Sequence, residues 1–139
     1  MHWRRGMPKK APADSTMCGW WRKAIRAIYG HQCALSHLGD CLGQLEAHHI
    51  VKRRYGLLKH NFKCGVLLCK QHHNYAETLE GRDAVESLPT VDMDYLKTQD
   101  SHDFKQYLQD NHLSRAEFLC NQLDELKEIC DNPKVAKYW

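Results

Sequence analysis

Residues 45–50, LEAHHI, and residues 65–77, GVLLCKQHHNYAE, are the two stretches that decide the fold. Each opens with a short apolar or alternating run, which predicts a β-strand. After Cys69 the second stretch continues without a helix breaker as far as Gly81, and this predicts a helix. The expected order is therefore strand, loop, strand, helix.

The same stretches predict a metal site. His73 and Glu77 are four residues apart, so on a helix they share one face, and a strand that carries His48 can supply a third ligand. Three protein ligands leave positions for water and phosphate, which is typical of a hydrolytic site. His49 points to the other side of the strand, but near the strand end it can face a substrate phosphate and take a proton from water.

The pattern LEAHHIVKRR…LLCKQHHNYAE resembles the HNH endonucleases, the ββα-metal nucleases, over roughly residues 31–80. The continuation RRYGLL more weakly resembles the phage and prophage recombination endonucleases of the lambda Nin region. The resemblance implies a DNA phosphodiester hydrolase that uses one catalytic divalent cation, Mg²⁺, Mn²⁺, Ni²⁺ or Zn²⁺. It makes His49 the general base and His48, His73 and Glu77 the ligands of that cation.

The middle asparagine of the HNH motif is displaced in this chain. The position nine residues before His73 is Cys64, and Asn61 lies three residues earlier. A side chain amide can brace a loop through hydrogen bonds to the backbone, which a thiol does poorly. Asn61 is therefore the candidate for this catalytic-loop role, with Cys64 as the alternative.

Cysteine and histidine are concentrated in the centre of the chain, where residues 31–73 hold four of the seven cysteines and seven of the ten histidines. No export signal accompanies them, and this favours metal binding over disulfides. Many HNH proteins add two Cys-x2-Cys pairs, and this chain offers Cys69-x2-His72 as one of them. The expected structural zinc ligands are Cys33, Cys41, Cys69 and His72, with His37 as the alternative to Cys41.

Charge is divided unequally along the chain. The net charge of +3 contains +6 from residues 1–30, +4 from residues 31–75 and −7 from the remainder. A basic half of this kind can face a polyanion. Three cations, Lys52, Arg53 and Arg54, directly follow the proposed base and are expected to bind DNA phosphates.

The predicted organisation has three parts. Residues 1–17 are expected to form a basic flexible arm, residues 18–80 an HNH nuclease domain with an N-terminal helix, and residues 81–139 a connector followed by a C-terminal helical extension. Ser114 and Glu117 form a capping box before the last helix, which should pair with its predecessor as a hairpin. The predicted fold class is α+β, with a small zinc-supported ββα-metal core.

Two other function classes remain open from the sequence. One is a zinc-stabilised DNA-binding module without catalytic activity, and the other is a phage assembly or packaging accessory that acts through the acidic C-terminal helices. The expected partners are DNA and a protein partner or second copy at those helices. No apolar run approaches the roughly 18 residues of a membrane span, so the expected location is the cytoplasm of a bacterium or phage-infected host cell.

Overall fold

The computed structural model describes residues 10–52 and 56–138. These residues form six α-helices and one two-stranded antiparallel sheet, so the predicted α+β class is confirmed. The strands are β1 (Leu45–His49) and β2 (Gly65–Cys69), and the helices are α1 (Asp14–Ile28), α2 (Lys70–Tyr75), α3 (Leu79–Glu86), α4 (Met93–Ser101), α5 (Phe104–Asp110) and α6 (Arg115–Asp131). Short 3₁₀ helices lie at Ser36–Leu38, Phe62–Cys64 and Pro133–Tyr138. None of these helices is long and apolar enough to cross a membrane.

The β-hairpin has two faces with different roles. Glu46 pairs with Leu68 and His48 with Val66, so these four side chains lie on one face. His49 pairs with Gly65 and lies on the opposite face. Helix α2 follows β2 without a loop, and the expected order of strand, loop, strand, helix is observed.

Helix α1 packs closely on the face of the hairpin that carries His49. A Cβ atom on Gly65 would lie 2.5 Å from Ile25 Cδ1 and 2.7 Å from Trp21 Cζ2, so only glycine permits this approach. Trp21 and Ile25 are buried together with Leu67 of β2 in the largest apolar cluster of the described residues. The close contact fixes α1 directly against the backbone next to His49.

The C-terminal helix belongs to the same core. Leu119, Leu126 and Ile129 are buried, and α6 packs mainly against α1. The predicted capping box of Ser114 and Glu117 is present. Helix α5 contacts α6 through aromatic rings. The ring centroids of Phe104 and Tyr107 lie 5.2 Å and 6.0 Å from that of Phe118. The two consecutive helices meet through these rings, while α1 covers the apolar stripe of α6.

Two predicted boundaries need correction. Helix α1 begins at Asp14 and Met17 is fully buried, so residues 14–17 belong to this helix and not to a flexible arm. Residues 1–9 of that arm lie outside the described part of the chain. The boundary placed between residues 80 and 81 falls inside α3, and the predicted connector contains both α3 and α4.

The helix predicted to run as far as Gly81 is broken after Tyr75. Thr78 donates a hydrogen bond to Tyr75 O and accepts one from Gly81 N, and in this way it caps a new helix, α3. A Cβ atom on Gly81 would collide with the backbone of Tyr75, so glycine allows the two helices to meet at a tight turn. Glu77 therefore lies in the turn after α2.

Candidate metal centres

Four predicted ligands come together beside the start of α2. The Nδ1 atom of His72 lies 3.3 Å from the sulfur of Cys33, 3.6 Å from that of Cys41 and 3.3 Å from that of Cys69. Zinc bonds of about 2.3 Å to sulfur and 2.0–2.1 Å to nitrogen, at a tetrahedral angle, imply a separation near 3.5 Å. The cluster of Cys33, Cys41, Cys69 and His72, called the Cys₃His cluster below, is arranged to hold a metal ion.

Local backbone contacts build this cluster. Cys69 is the N-cap residue of α2, and its sulfur accepts a hydrogen bond from His72 N, which fixes the Cys69-x2-His72 pair. The segment that carries Cys33 is tied to β2 by a hydrogen bond from Ala34 N to Leu67 O at 2.7 Å. Three of the four ligands are buried, namely Cys33, Cys69 and His72. Cys41 is exposed, so it forms the surface side of the cluster. His37, the alternative ligand, is exposed and is not part of it.

The thiols neighbouring Cys41 contribute to a shift of its pKa. Desolvation, followed by the neighbouring thiols of Cys33 and Cys69, raises the pKa of Cys41 to about 11. Thiolates this close repel each other, whereas a divalent cation between them would remove the repulsion and displace their protons. The donor set of three sulfurs and one imidazole fits Zn²⁺.

A second cluster consists of His48, His73 and Glu77, called the open cluster below. Each residue offers one ligand atom, and these atoms all lie within 4.8 Å of one another. The rings of His48 and His73 meet edge to face with their centroids 4.9 Å apart. Burial, and then the neighbouring His73, lowers the pKa of His48 to about 4, so its imidazole is neutral at pH 7 and has a lone pair for a metal.

Glu46 is a member of this site that sequence reasoning missed. Its carboxylate accepts a hydrogen bond from His73 Nδ1 at 2.6 Å. This bond places the proton on Nδ1 and leaves Nε2 of His73 for a metal, as in the carboxylate–histidine–metal arrangements of many metal sites. The alternation of β1 could have revealed it, because Glu46 is two residues before His48 and lies on the same face.

His49 is held on the opposite face of the hairpin. Its ring stacks on Trp21 with centroids 4.0 Å apart and an angle of 7° between the planes. Its Nε2 atom lies 2.8 Å from Lys59 O, and because a carbonyl only accepts, Nε2 must carry the proton and Nδ1 the lone pair. Burial lowers the pKa of His49, which keeps it neutral and able to accept a proton.

Asn61 braces the loop that holds His49. Its side chain accepts from Lys63 N and donates to Tyr95 Oη, both at 2.9 Å, and its carbonyl accepts from Trp21 Nε1 at 2.9 Å. Lys59 lies in this loop. Cys64 is fully buried, and its sulfur contacts Val51 O at 3.5 Å. Of the two candidates, Asn61 has the loop contacts expected of the middle motif position.

A cavity of about 320 Å³ opens beside the open cluster. It is lined by His48, His49, Lys52, Glu77 and Arg82, among others. Lys52 Nζ lies 2.8 Å from Glu77 Oε2 in an exposed ion pair. The predicted DNA-binding residues Arg53 and Arg54 lie outside the described residues. Arg82, on α3, was not predicted, because the sequence does not show that α3 turns back towards the hairpin.

Comparison of the chain with protein-family models, with curated proteins and with solved structures gives no match. The residues and geometry of the two clusters and of His49 are therefore the basis on which function is inferred.

Proposed function

We propose that the protein is a metal-dependent endonuclease of the HNH type that hydrolyses DNA phosphodiester bonds. One observation carries the proposal. His48 and His49, neighbours in β1, point to different surroundings, and yet both line the cavity that the open cluster borders. The cavity is therefore bordered by a cluster of three metal ligands and by a neutral imidazole whose Nδ1 atom carries the lone pair.

The open cluster would hold the catalytic cation. Two imidazoles and a carboxylate suit Mn²⁺, Ni²⁺ or Zn²⁺, and Mg²⁺ would rely more on Glu77 and on water. Such a cation, when bound, supplies Lewis-acid stabilisation of the charge that develops on the phosphate and the leaving 3′ oxygen. Glu46 orients His73 towards it, and the Cys₃His cluster holds α2, the helix that carries His73.

His49 would act as the general base. The Lys59 carbonyl and the Trp21 ring hold the imidazole in one orientation and one tautomer, so that Nδ1 is the atom that takes the proton of the attacking water. Asn61 contributes indirectly, since its hydrogen bonds hold the loop that presents that carbonyl. Because the base is already neutral and held in place, little free energy is needed to bring it into the reactive arrangement.

The distribution of charge along the chain supports an anionic polymer as the substrate. Lys52 and Arg82 lie at the cavity together with Glu77 and Glu86, so the excess of positive charge comes from elsewhere in the first 75 residues, which carry most of the positive charge of the chain. Neutralising phosphates releases condensed counterions and favours binding at low salt. DNA is the substrate proposed, as the resemblance to HNH nucleases implies.

The decisive experiment is single-turnover plasmid cleavage with Mg²⁺, Mn²⁺, Ni²⁺ and Zn²⁺ in turn. We expect His49→Ala to slow cleavage by about 10²–10⁴-fold, the usual contribution of a general base. His49→Gln, whose amide can still donate to Lys59 O, should be equally slow. Because the pKa of His49 is lowered from its ordinary value of 6.5, the wild-type rate should rise with pH and level off at a pH below that value.

The control is His102→Ala, which replaces an exposed histidine at the end of α4 and should cleave at the wild-type rate. Mn²⁺ binding and thermal unfolding of each variant show whether the open cluster and the fold are intact. A folded His49→Ala protein that cleaves as fast as wild type would refute the mechanism. Absence of cleavage by wild type with all four metals would favour the non-catalytic DNA-binding module instead.

A further inference from the structure

A third group of metal-binding side chains lies on the other side of the hairpin, outside the two clusters described above. Asp14 and Cys18 are four residues apart on α1 and therefore share a face, and His60 reaches them from the loop between the strands. His60 is only 5% exposed, and its Nε2 atom is the one directed at both partners. No prediction from the sequence used these residues.

Their separations fit a tetrahedral ion. The Cys18 sulfur lies 3.5 Å from His60 Nε2 and 3.6 Å from Asp14 Oδ2, and His60 Nε2 lies 3.4 Å from Asp14 Oδ1. Zinc bonds of about 2.3 Å to sulfur and 2.0–2.2 Å to nitrogen and oxygen, at tetrahedral angles, imply separations of about 3.3–3.6 Å. The two Asp14 distances are to different carboxylate oxygens, and one ligand atom of each residue lies within 4.8 Å of the other two, so the three side chains can surround one ion.

We propose that Asp14, Cys18 and His60 form a binding site for a thiophilic divalent cation such as Zn²⁺, with water in the fourth position. The thiol of Cys18 would release its proton to solvent on binding, and the neutral imidazole of His60 would bind through Nε2. Lys59 Nζ lies 2.9 Å from Asp14 Oδ1 and competes with the cation for this carboxylate. Affinity is therefore set by the balance between the cation and Lys59.

The site would tie α1 to the loop that holds His49. His60 directly follows Lys59, whose carbonyl accepts the hydrogen bond from His49, and Trp21 on the same helix stacks on that ring. A cation bound between α1 and this loop would restrain both contacts of His49 at once. Any effect on catalysis rests on the proposed nuclease function, but binding itself does not and can be measured without DNA.

The first test is protection of Cys18 from alkylation. Purified protein that retains its Cys₃His metal is treated with iodoacetamide with and without added Zn²⁺, and each cysteine is quantified by peptide mass spectrometry. Cys18 should lose most of its reactivity when Zn²⁺ is added. Cys120, also half-buried, is the internal control and should react equally in both samples. Equal reaction of Cys18 with and without Zn²⁺ would overturn the proposal.

The second test identifies the ligands by Co²⁺ absorption. The open cluster has no thiolate, so a new thiolate-to-Co²⁺ band in protein with a filled Cys₃His cluster can come only from a further sulfur ligand. The band should appear in wild type and in Cys120→Ser and be absent in Cys18→Ser. Asp14→Asn should weaken binding by at least about tenfold, since loss of even an outer-sphere partner costs 10–100-fold.

Lys59→Met distinguishes a cation site from a hydrogen-bonded network. This variant keeps the backbone carbonyl that contacts His49 but removes the competing charge, and it should strengthen Co²⁺ binding. A band of equal intensity in wild type and Cys18→Ser, or weaker binding in folded Lys59→Met, would contradict the proposal. Because neither test uses cleavage, failure of the nuclease proposal would leave their outcomes unchanged.

Discussion

His72 and His73 are neighbours in α2, yet they serve two clusters of different construction. His72 is buried and completes a group of four ligands with three thiols. His73 is half-buried and belongs to a group of three ligands that borders a cavity. Successive residues on a helix point about 100° apart, so one short helix can supply a closed site and an open site.

The donor atoms differ as much as the exposure. Thiolates and an imidazole favour Zn²⁺ and fill its tetrahedral shell, which is typical of sites that stabilise a fold. Two imidazoles and a carboxylate leave positions for water and substrate, as a catalytic site requires. We infer that the closed cluster supports the same helix whose other face carries His73, a ligand of the proposed catalytic cation.

The largest expected effect is on folding. Structural zinc contributes apparent free energies of about 10–16 kcal/mol in small domains, as much as the whole stability of a typical protein. Cys69→Ser should therefore unfold the protein and release its zinc, whereas His73→Ala should remain folded and retain that zinc. Circular dichroism and metal analysis of the two variants check the prediction.

Cys130→Ser is the control, because it makes the same chemical change at a half-buried thiol outside the clusters. It should remain folded with its zinc bound. If Cys69→Ser is as stable as Cys130→Ser, the Cys₃His cluster does not stabilise the fold, and the proposed distinction between a structural and an open site is wrong. Unfolding of His73→Ala would show that both clusters are structural.

The next effect concerns Glu46, which contacts the open cluster through His73. Glu46→Gln keeps an acceptor near His73 but removes the negative charge, and loss of such a partner typically costs 10–100-fold in metal affinity. Mn²⁺ affinity, measured by calorimetry, should fall by about this factor, and zinc at the Cys₃His cluster should be unaffected. Cleavage should recover at high Mn²⁺, because no ligand and no base is removed.

Glu80→Gln, an exposed change near the start of α3, is the control and should bind Mn²⁺ as wild type does. An unchanged Mn²⁺ affinity in Glu46→Gln would mean that the 2.6 Å contact with His73 has no role in orienting a ligand. Loss of the Cys₃His zinc in this variant would mean that the two clusters are not independent.

Local spacing predicted most of the two clusters. The first turn of α2 places the Cys69-x2-His72 pair. The four-residue interval correctly predicted that Glu77 lies near His73, although Glu77 lies in the turn after the helix. The remaining ligands depend on the hairpin register or on distant loops. His48 was predicted from its strand, and Cys33 and Cys41 came from the family resemblance. The sequence did not reveal the break after Tyr75, since residues 70–80 contain no breaker and the Thr78 cap of α3 depends on a close backbone approach at Gly81.

Long-range contacts account for what the sequence missed. Arg82 reaches the cavity because α3 folds back after the turn, and Asp14, Cys18 and His60 meet only because α1 packs on the hairpin. The start of α1 was placed too late because residues 14–17 lack a clear apolar period, although Met17 is fully buried in the core. Packing against the rest of the chain decides each of these features.

The smallest expected effect concerns Lys52, a cation that contacts the open cluster through Glu77. An exposed ion pair of this kind contributes about 0–1 kcal/mol, so Lys52→Met should raise the Mn²⁺ affinity of the open cluster by up to about fivefold. If Lys52 also binds a DNA phosphate, the slope of log affinity against log salt should become shallower by about 0.9.

Lys97→Met, an exposed change on α4, is the control and should alter neither quantity. Metal titration and DNA binding across a salt series measure both, and the opposite directions of the two effects separate a role for Lys52 from a general loss of charge. If Lys52→Met matches Lys97→Met in both, Lys52 contributes to neither metal nor DNA binding, and the positive charge proposed for DNA contact must come from Arg82 and the remaining basic residues.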